Sequence, residues 1–168
     1  MDPVLSMVSP IGLAASVGTA LVVDLVSEPR PGARSLRDIA RDGPSLAELS
    51  PGRKGVAMLV GGDLSPSEAM DTLERLAVRW PAITVRVSGG VWPFPVVPVI
   101  PLYPGRLLAV VEPSGVWQPV GTGSTPHGPG PVLPRLRPGA LRRLLTGQLP
   151  RRSRWVAAWR PVWDMPWA

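Results

Sequence analysis

The chain has 168 residues, enough for one ordinary hydrophobic core, and 45% of them are hydrophobic, which excludes a wholly disordered protein. The absence of cysteine excludes disulfide bonds and thiolate metal sites. The formal net charge is +6, and the 23 prolines and 18 glycines require long loop or extended segments.

The segment over residues 4–23 carries no charge and is long enough to cross a membrane. Its serines and glycines, together with Pro10 and the lack of a flanking lysine or arginine, favour a buried core instead. We expect a short strand over residues 4–8 and a helix over residues 11–17. A secretory signal requires a positively charged region before its apolar segment, and none is present here. We therefore expect a cytoplasmic protein.

The next elements alternate between strand and helix. We predict a buried strand over residues 20–23, short helices over 36–41 and 46–49, and a second buried strand over 55–60. The first strand ends at Asp24, and Ser35 and Ser45 are positioned as N-caps of the two helices.

The strongest helix signal is Ser65-Pro66-Ser67-Glu68, which combines an N-cap serine, a proline at the first helical position and a glutamate at the third. Apolar side chains follow at residues 70, 73, 76, 77 and 80, so one face of this helix is buried. Alternating residues over 83–87 then predict a strand. The sequence therefore predicts an α/β fold with a small, mostly parallel sheet and flanking helices.

A proline-, tryptophan- and arginine-rich extension follows this core. In it we predict an edge strand or polyproline segment over 96–102, a hairpin from 106–111 and 116–120, a loop over 121–131, and basic helices over 140–145 and 151–160. We expect two regions, an α/β core over residues 1–88 and a connector with a basic tail packed on that core over residues 89–168.

Three segments of the first half carry a resemblance to a known family. Leu13-Ala14-Ala15, the strand over 20–25 and the unit over 65–87 resemble the ParA/MinD-type ATPase fold, in which a phosphate loop follows the first strand. The corresponding stretch here, Ser9-Pro10-Ile11-Gly12, has no lysine. The one lysine, Lys54, precedes a strand instead of following one. The resemblance therefore implies a relative that lacks the phosphate loop, and we predict no ATP hydrolysis and no cofactor.

Candidate ligand-binding residues are few. Asp24 and Asp63 follow predicted parallel strands, where ligands of open α/β sheets bind, so the pair could hold a magnesium ion or orient a base. The alternative, which the absence of any motif spacing favours, is that Asp24 simply ends a strand and that Asp63 belongs to a turn before a helix. His127 is the only histidine and lies in a glycine-rich loop without a nucleophile elbow, so we predict no metal site and no catalytic residue there.

The net positive charge is concentrated near the C-terminus. From residue 101 onward, nine arginines stand against Glu112 and Asp164. The candidate surface for a partner or nucleic acid consists of Arg142, Arg143, Arg151, Arg152, Arg154, Trp155 and Trp159. Its arginines could neutralise phosphates while the tryptophans stack on bases or enter a membrane interface. Alternatively, the tryptophans pack the tail and the arginines form its solvated face.

The leading hypothesis is a non-catalytic interaction or scaffold protein with a protein partner. The alternative is a nucleic-acid-binding protein that uses the basic tail. A membrane-surface partner and an atypical enzyme built on Asp24 and Asp63 are further hypotheses.

Overall fold

The structure is a computed structural model that describes residues 3–29, 31–51, 55–88, 91–102, 115–120, 129–149 and 152–167. Its elements in chain order are α1 (Pro3–Ala15), β1 (Thr19–Asp24), α2 (Leu36–Asp42), β2 (Gly55–Val60), α3 (Pro66–Ala77), β3 (Ile83–Arg86), β4 (Val99–Leu102), β5 (Val116–Pro119), α4 (Pro138–Leu145), α5 (Arg154–Ala157) and the 3₁₀ helix η1 (Arg160–Asp164).

These elements form an α/β fold that divides into two compact units. The sheet unit is Val17–Trp92, and the basic unit combines Met1–Ser16 with Pro93–Ala168. From the sequence, the boundary was predicted after residue 88, and residues 1–16 were assigned to the same region as the sheet. In the structure the sheet unit ends at Trp92, and Met1–Ser16 belongs to the basic unit. Of the helices in the described ranges, none has the length and apolar character needed to cross a membrane.

The sheet unit contains a three-stranded parallel sheet in the order β2-β1-β3, which confirms the predicted alternation. In the centre, Val22 pairs with Met58 of β2 and with Thr84 of β3. From Ala20 to Asp24 every residue of β1 is buried, as expected for the central strand of a parallel sheet.

Helices α2 and α3 pack against each other and begin with the same kind of cap. Ser35 and Ser65 each accept a hydrogen bond from the amide of the third helical residue, whose carboxylate accepts one from the serine amide in return. Both predicted caps are confirmed. Ser45 makes the same reciprocal contacts with Glu48, but they cap a single turn over residues 46–49.

Of the residues predicted to be buried on α3 and just after it, Leu73, Leu76 and Trp80 are buried, and the prediction differs from the structure at other positions of this face. Ala69, Thr72 and Leu76 are completely buried, whereas Ala77 is exposed. Thr72 was overlooked because it is polar, but its hydroxyl donates to the Glu68 carbonyl (3.1 Å), and this bond allows it to be buried.

The N-terminal prediction of a strand followed by a helix was wrong. One helix, α1, runs from Pro3 to Ala15 and continues through Pro10. Its buried residues recur at the three- and four-residue spacing of a helix; they are Leu5, Val8, Ser9, Ile11, Gly12 and Ala14. Two of these, Ser9 and Gly12, are not apolar, so the period was hidden in the sequence.

The basic unit places α4, α5, η1 and β4 in contact with α1. Strands β4 and β5 pair in parallel, and Trp117 of β5 also bridges to Val132. The predicted strand over 116–120 is therefore confirmed at Val116–Pro119, although its pairing is parallel. The other half of the predicted hairpin, residues 106–111, lies outside the described residues.

The basic helix predicted over residues 151–160 is shorter and is followed by a second element. Helix α5 covers Arg154–Ala157, and η1 continues through Pro161. Proline was expected to end the helix, but in the first turn of a new helix its missing amide costs no hydrogen bond.

Candidate functional site

Asp24 lies at the carboxyl end of β1, and both of its carboxylate oxygens are engaged. Oδ1 accepts from the amides of Val26 (2.9 Å) and Ser27 (3.1 Å). Oδ2 accepts from the Ser27 hydroxyl (2.6 Å) and from Nη1 of Arg86 at the end of β3 (3.0 Å). The carboxylate thus joins the turn after β1 to the neighbouring strand.

These contacts also set the protonation of Asp24. Burial by itself raises the pKa of this carboxyl group, but the hydrogen bonds from Ser27 and Val26 and the charge of Arg86 hold the pKa below its ordinary value of 3.8. Asp24 is consequently an ionised structural anion at neutral pH.

Asp63 follows β2 on the adjacent strand, but its environment is different. The residue is exposed, its backbone is left-handed (φ +59°), and its carbonyl accepts from Nη2 of Arg37 (2.8 Å). Within the described ranges, no group of three or more histidine, cysteine or acidic side chains could hold a metal ion. His127 lies outside the described residues.

The predicted surface near the C-terminus separates into buried tryptophans and exposed arginines. Trp155 and Trp159 are 3% and 1% exposed, so their rings lie inside the basic unit. Arg142, Arg143, Arg152 and Arg154 are exposed, and Arg151 lies outside the described residues.

The tryptophans are anchored by contacts that sequence analysis did not identify. Trp155 and Trp159 pack edge to face, with ring centroids 5.6 Å apart, against the side of α1 at Gly12. Nε1 of Trp155 donates to the buried Oε1 of Gln118 (2.5 Å). A glycine in the middle of a helix was the one local signal of this close approach, because it leaves room for a large ring.

A further tryptophan fastens η1 to the end of α1. Nε1 of Trp163 donates to the Leu13 carbonyl (3.1 Å) and to the Ser16 hydroxyl (3.2 Å). The indole groups of this segment therefore hold the short basic elements in place, and the arginines between them are left on the outside.

In the described part of the basic unit, seven arginines are exposed; they are Arg135, Arg137, Arg142, Arg143, Arg152, Arg154 and Arg160. None of these seven forms an ion pair with another described residue. In the sheet unit Arg34, Arg41 and Arg86 form ion pairs, whereas Arg37, Arg75 and Arg79 form none with a described residue. Asp164 is the one acidic residue in the described part of the basic unit.

The division of charge between the units is sharp. By sequence, the basic unit holds nine arginines and three acidic residues, and the sheet unit holds nine basic and nine acidic residues. The whole net charge of +6 is therefore carried by the basic unit. Chemically, exposed guanidinium groups are able to bind carboxylate or phosphate groups.

Comparison with known proteins adds no relative: no family model, no curated protein and no solved structure matches this chain.

Proposed function

We propose that this protein is a non-catalytic interaction protein whose basic unit binds an acidic protein partner. The observation that carries the proposal is the set of seven exposed arginines without a carboxylate partner among the described residues. A planar guanidinium group binds a carboxylate with two parallel hydrogen bonds, which makes arginine well suited to acidic protein surfaces.

The burial of Trp155 and Trp159 favours a protein over a nucleic acid or a membrane. Binding of single-stranded nucleic acid uses exposed aromatic rings on which bases stack, and membrane interfaces likewise take up exposed tryptophans. Trp155 and Trp159 are packed against α1 and are not available for either contact. Binding of nucleic acid by the arginines alone is the alternative.

The sheet unit has a proposed evolutionary origin. We include in the proposal that the sheet unit descends from a ParA/MinD-type fold without its phosphate loop, because it has a parallel sheet in the order β2-β1-β3 with Asp24 at the end of the central strand. The stretch compared with the phosphate loop, residues 9–12, lies inside α1 and before β1, so that stretch does not support this descent. Such a relative would still bind its protein partner although it had lost ATP hydrolysis.

The test is a binding measurement with three labelled polyanions of matched charge: poly-glutamate, single-stranded DNA and duplex DNA. We expect poly-glutamate to bind in low salt and to dissociate as the salt concentration rises, because exposed ion pairs are screened. The Arg142→Gln/Arg143→Gln double variant removes two exposed charges from α4 and should weaken this binding by about threefold to tenfold.

The matched control removes two exposed charges from the sheet unit. Arg75→Gln/Arg79→Gln changes the net charge equally and should leave poly-glutamate affinity nearly unchanged. If both double variants weaken binding alike, general charge explains it and the assignment to the basic unit is wrong. Tighter binding of DNA than of poly-glutamate at the same salt concentration would favour the nucleic-acid alternative.

A further inference from the structure

A pocket of about 280 Å³ lies within the basic unit, between the end of α1 and the start of α5. Its apolar wall is formed by Ala15, Leu149, Val156 and Ala157. Ser16, Arg152 and Ser153 supply its polar groups. We call this the α1–α5 pocket.

The hydrogen-bonding capacity that remains in the pocket is mainly that of donors. The Ser16 hydroxyl already donates to the Leu13 carbonyl (2.7 Å) and accepts from Trp163. Ser153 accepts from the Val156 amide (3.3 Å), and its own hydroxyl hydrogen has no acceptor among the described residues. Arg152, an exposed and positively charged residue, also lines the pocket, so the site combines hydroxyl donors with a positive charge that would favour an anionic acceptor.

The backbone of Arg152 is strained. Arg152 has a φ of +54°, in the left-handed region where a residue with a Cβ atom is disfavoured and where glycine or asparagine is common. A strained residue at the rim of a pocket is a recognised feature of binding sites.

We infer that the α1–α5 pocket binds the C-terminus of a polypeptide partner, with its last apolar side chain against Ala15, Leu149 and Val156 and its free carboxylate on Arg152. The volume suits one residue, and the combination of an apolar wall with a cationic donor matches a terminal residue that is both aliphatic and anionic. Arg154, exposed at the first residue of α5, adds positive charge for acidic residues that precede this terminus. The inference rests on the proposed function and names the part of the partner that is recognised.

The experiment uses the full chain and two fluorescein-labelled acidic peptides that end in leucine, one with a free carboxylate and one with a carboxamide. We expect the free carboxylate to bind roughly tenfold more tightly, because a charge-assisted bond to arginine is lost in the amide. A third peptide, ending in glycine with a free carboxylate, should also bind more weakly because it leaves the apolar wall uncovered.

Arg152→Asn is the decisive variant. It should lower affinity for the free-carboxylate peptide to that of the carboxamide peptide, whereas Arg152→Lys should retain part of the difference. Since asparagine adopts a positive φ readily, the melting temperature of Arg152→Asn should equal or exceed that of the wild type, which excludes misfolding as the reason for lost binding. Arg143→Asn removes an equal charge outside the pocket and should preserve the preference for the carboxylate.

One result would overturn the inference alone, and another would overturn the inference together with the proposed function. If poly-glutamate binds but the two leucine peptides bind equally to wild type and to Arg152→Asn, the pocket does not recognise a C-terminus and the arginine surface still stands. If neither poly-glutamate nor any peptide binds, both ideas are overturned.

Discussion

Asp24 is a candidate ligand-binding residue by its position in the sequence, but in the structure its side chain stabilises the fold. An aspartate after a buried parallel strand occupies the position where ligands bind in many α/β proteins. In this protein its two oxygens take four hydrogen bonds, from Val26, Ser27 and Arg86, and the carboxylate is 12% exposed. Its contribution is therefore to stability, and it should be visible as a dependence of stability on pH.

We predict that Asp24→Asn lowers the free energy of unfolding by roughly 1–3 kcal/mol near pH 7, because Arg86 and Ser27 lose a charged acceptor. A group whose folded pKa is depressed stabilises the fold above its unfolded pKa, and this stability is lost as the pH falls through the folded value. For Asp24 the unfolded value is near 3.8. Urea denaturation at a series of pH values measures the difference between wild type and variant.

That difference should be constant well above pH 3.8 and should shrink as the pH falls below it. Asp71→Asn, at an exposed position on α3, is the control and should change the free energy of unfolding little at any pH. A wild-type advantage that persists unchanged into strong acid would contradict the role given to the Asp24 carboxylate.

At the scale of elements, α1 and the tryptophans of α5 and its flank pack closely in the basic unit. A Cβ atom at Gly12 would lie 2.5 Å from Cη2 of Trp155 and 2.7 Å from Nε1 of Trp159, closer than atoms of a packed core approach. Glycine disfavours a helix, so its presence in α1 is explained by this contact and not by helix propensity.

We therefore expect Gly12→Ala to lower the free energy of unfolding by about 1–3 kcal/mol through overpacking, despite the better helix propensity of alanine. Gly139→Ala is the matched control on α4, because a Cβ atom there meets nothing within 4 Å. The control should be neutral or stabilising by up to about 1 kcal/mol. Chemical denaturation measures the free energy of unfolding of both variants. If Gly12→Ala and Gly139→Ala change this free energy by similar amounts, α1 does not pack as described.

At the scale of the whole molecule, charge is distributed unevenly along the chain. The basic unit carries the entire net charge of +6, and its seven exposed arginines have no ion-pair partner among the described residues. Like charges that are not paired repel one another and destabilise the compact state, and salt screens this repulsion.

We predict that raising NaCl from about 20 to about 200 mM increases the melting temperature by about 1–3 °C. Tryptophan fluorescence is a suitable readout because five of the seven tryptophans lie in the basic unit. Arg142→Gln/Arg143→Gln should reduce the salt effect, since it removes two of the repelling charges, and Arg75→Gln/Arg79→Gln should not. A melting temperature that falls with salt would show that attractive ion pairs dominate.

The sequence alone determined most of the sheet unit. Its strands are short apolar runs, and two of its helices begin with serine caps. Periodicity and local hydrogen bonding were therefore enough to predict β1, α2, β2, α3 and β3 along the chain and the parallel direction of the strands. These signals are local, and each can be read within about a dozen residues.

The basic unit was decided by tertiary structure. Strand β5 pairs with β4 across a long intervening segment, and α1 is a helix whose buried face includes Ser9 and Gly12 because Trp155 and Trp159, far along the chain, pack against it. The charge of the arginines was readable from the sequence, but the burial of the tryptophans was not. Which side of a short helix faces inward depends on the surface it packs against, and that surface is supplied by residues distant in sequence.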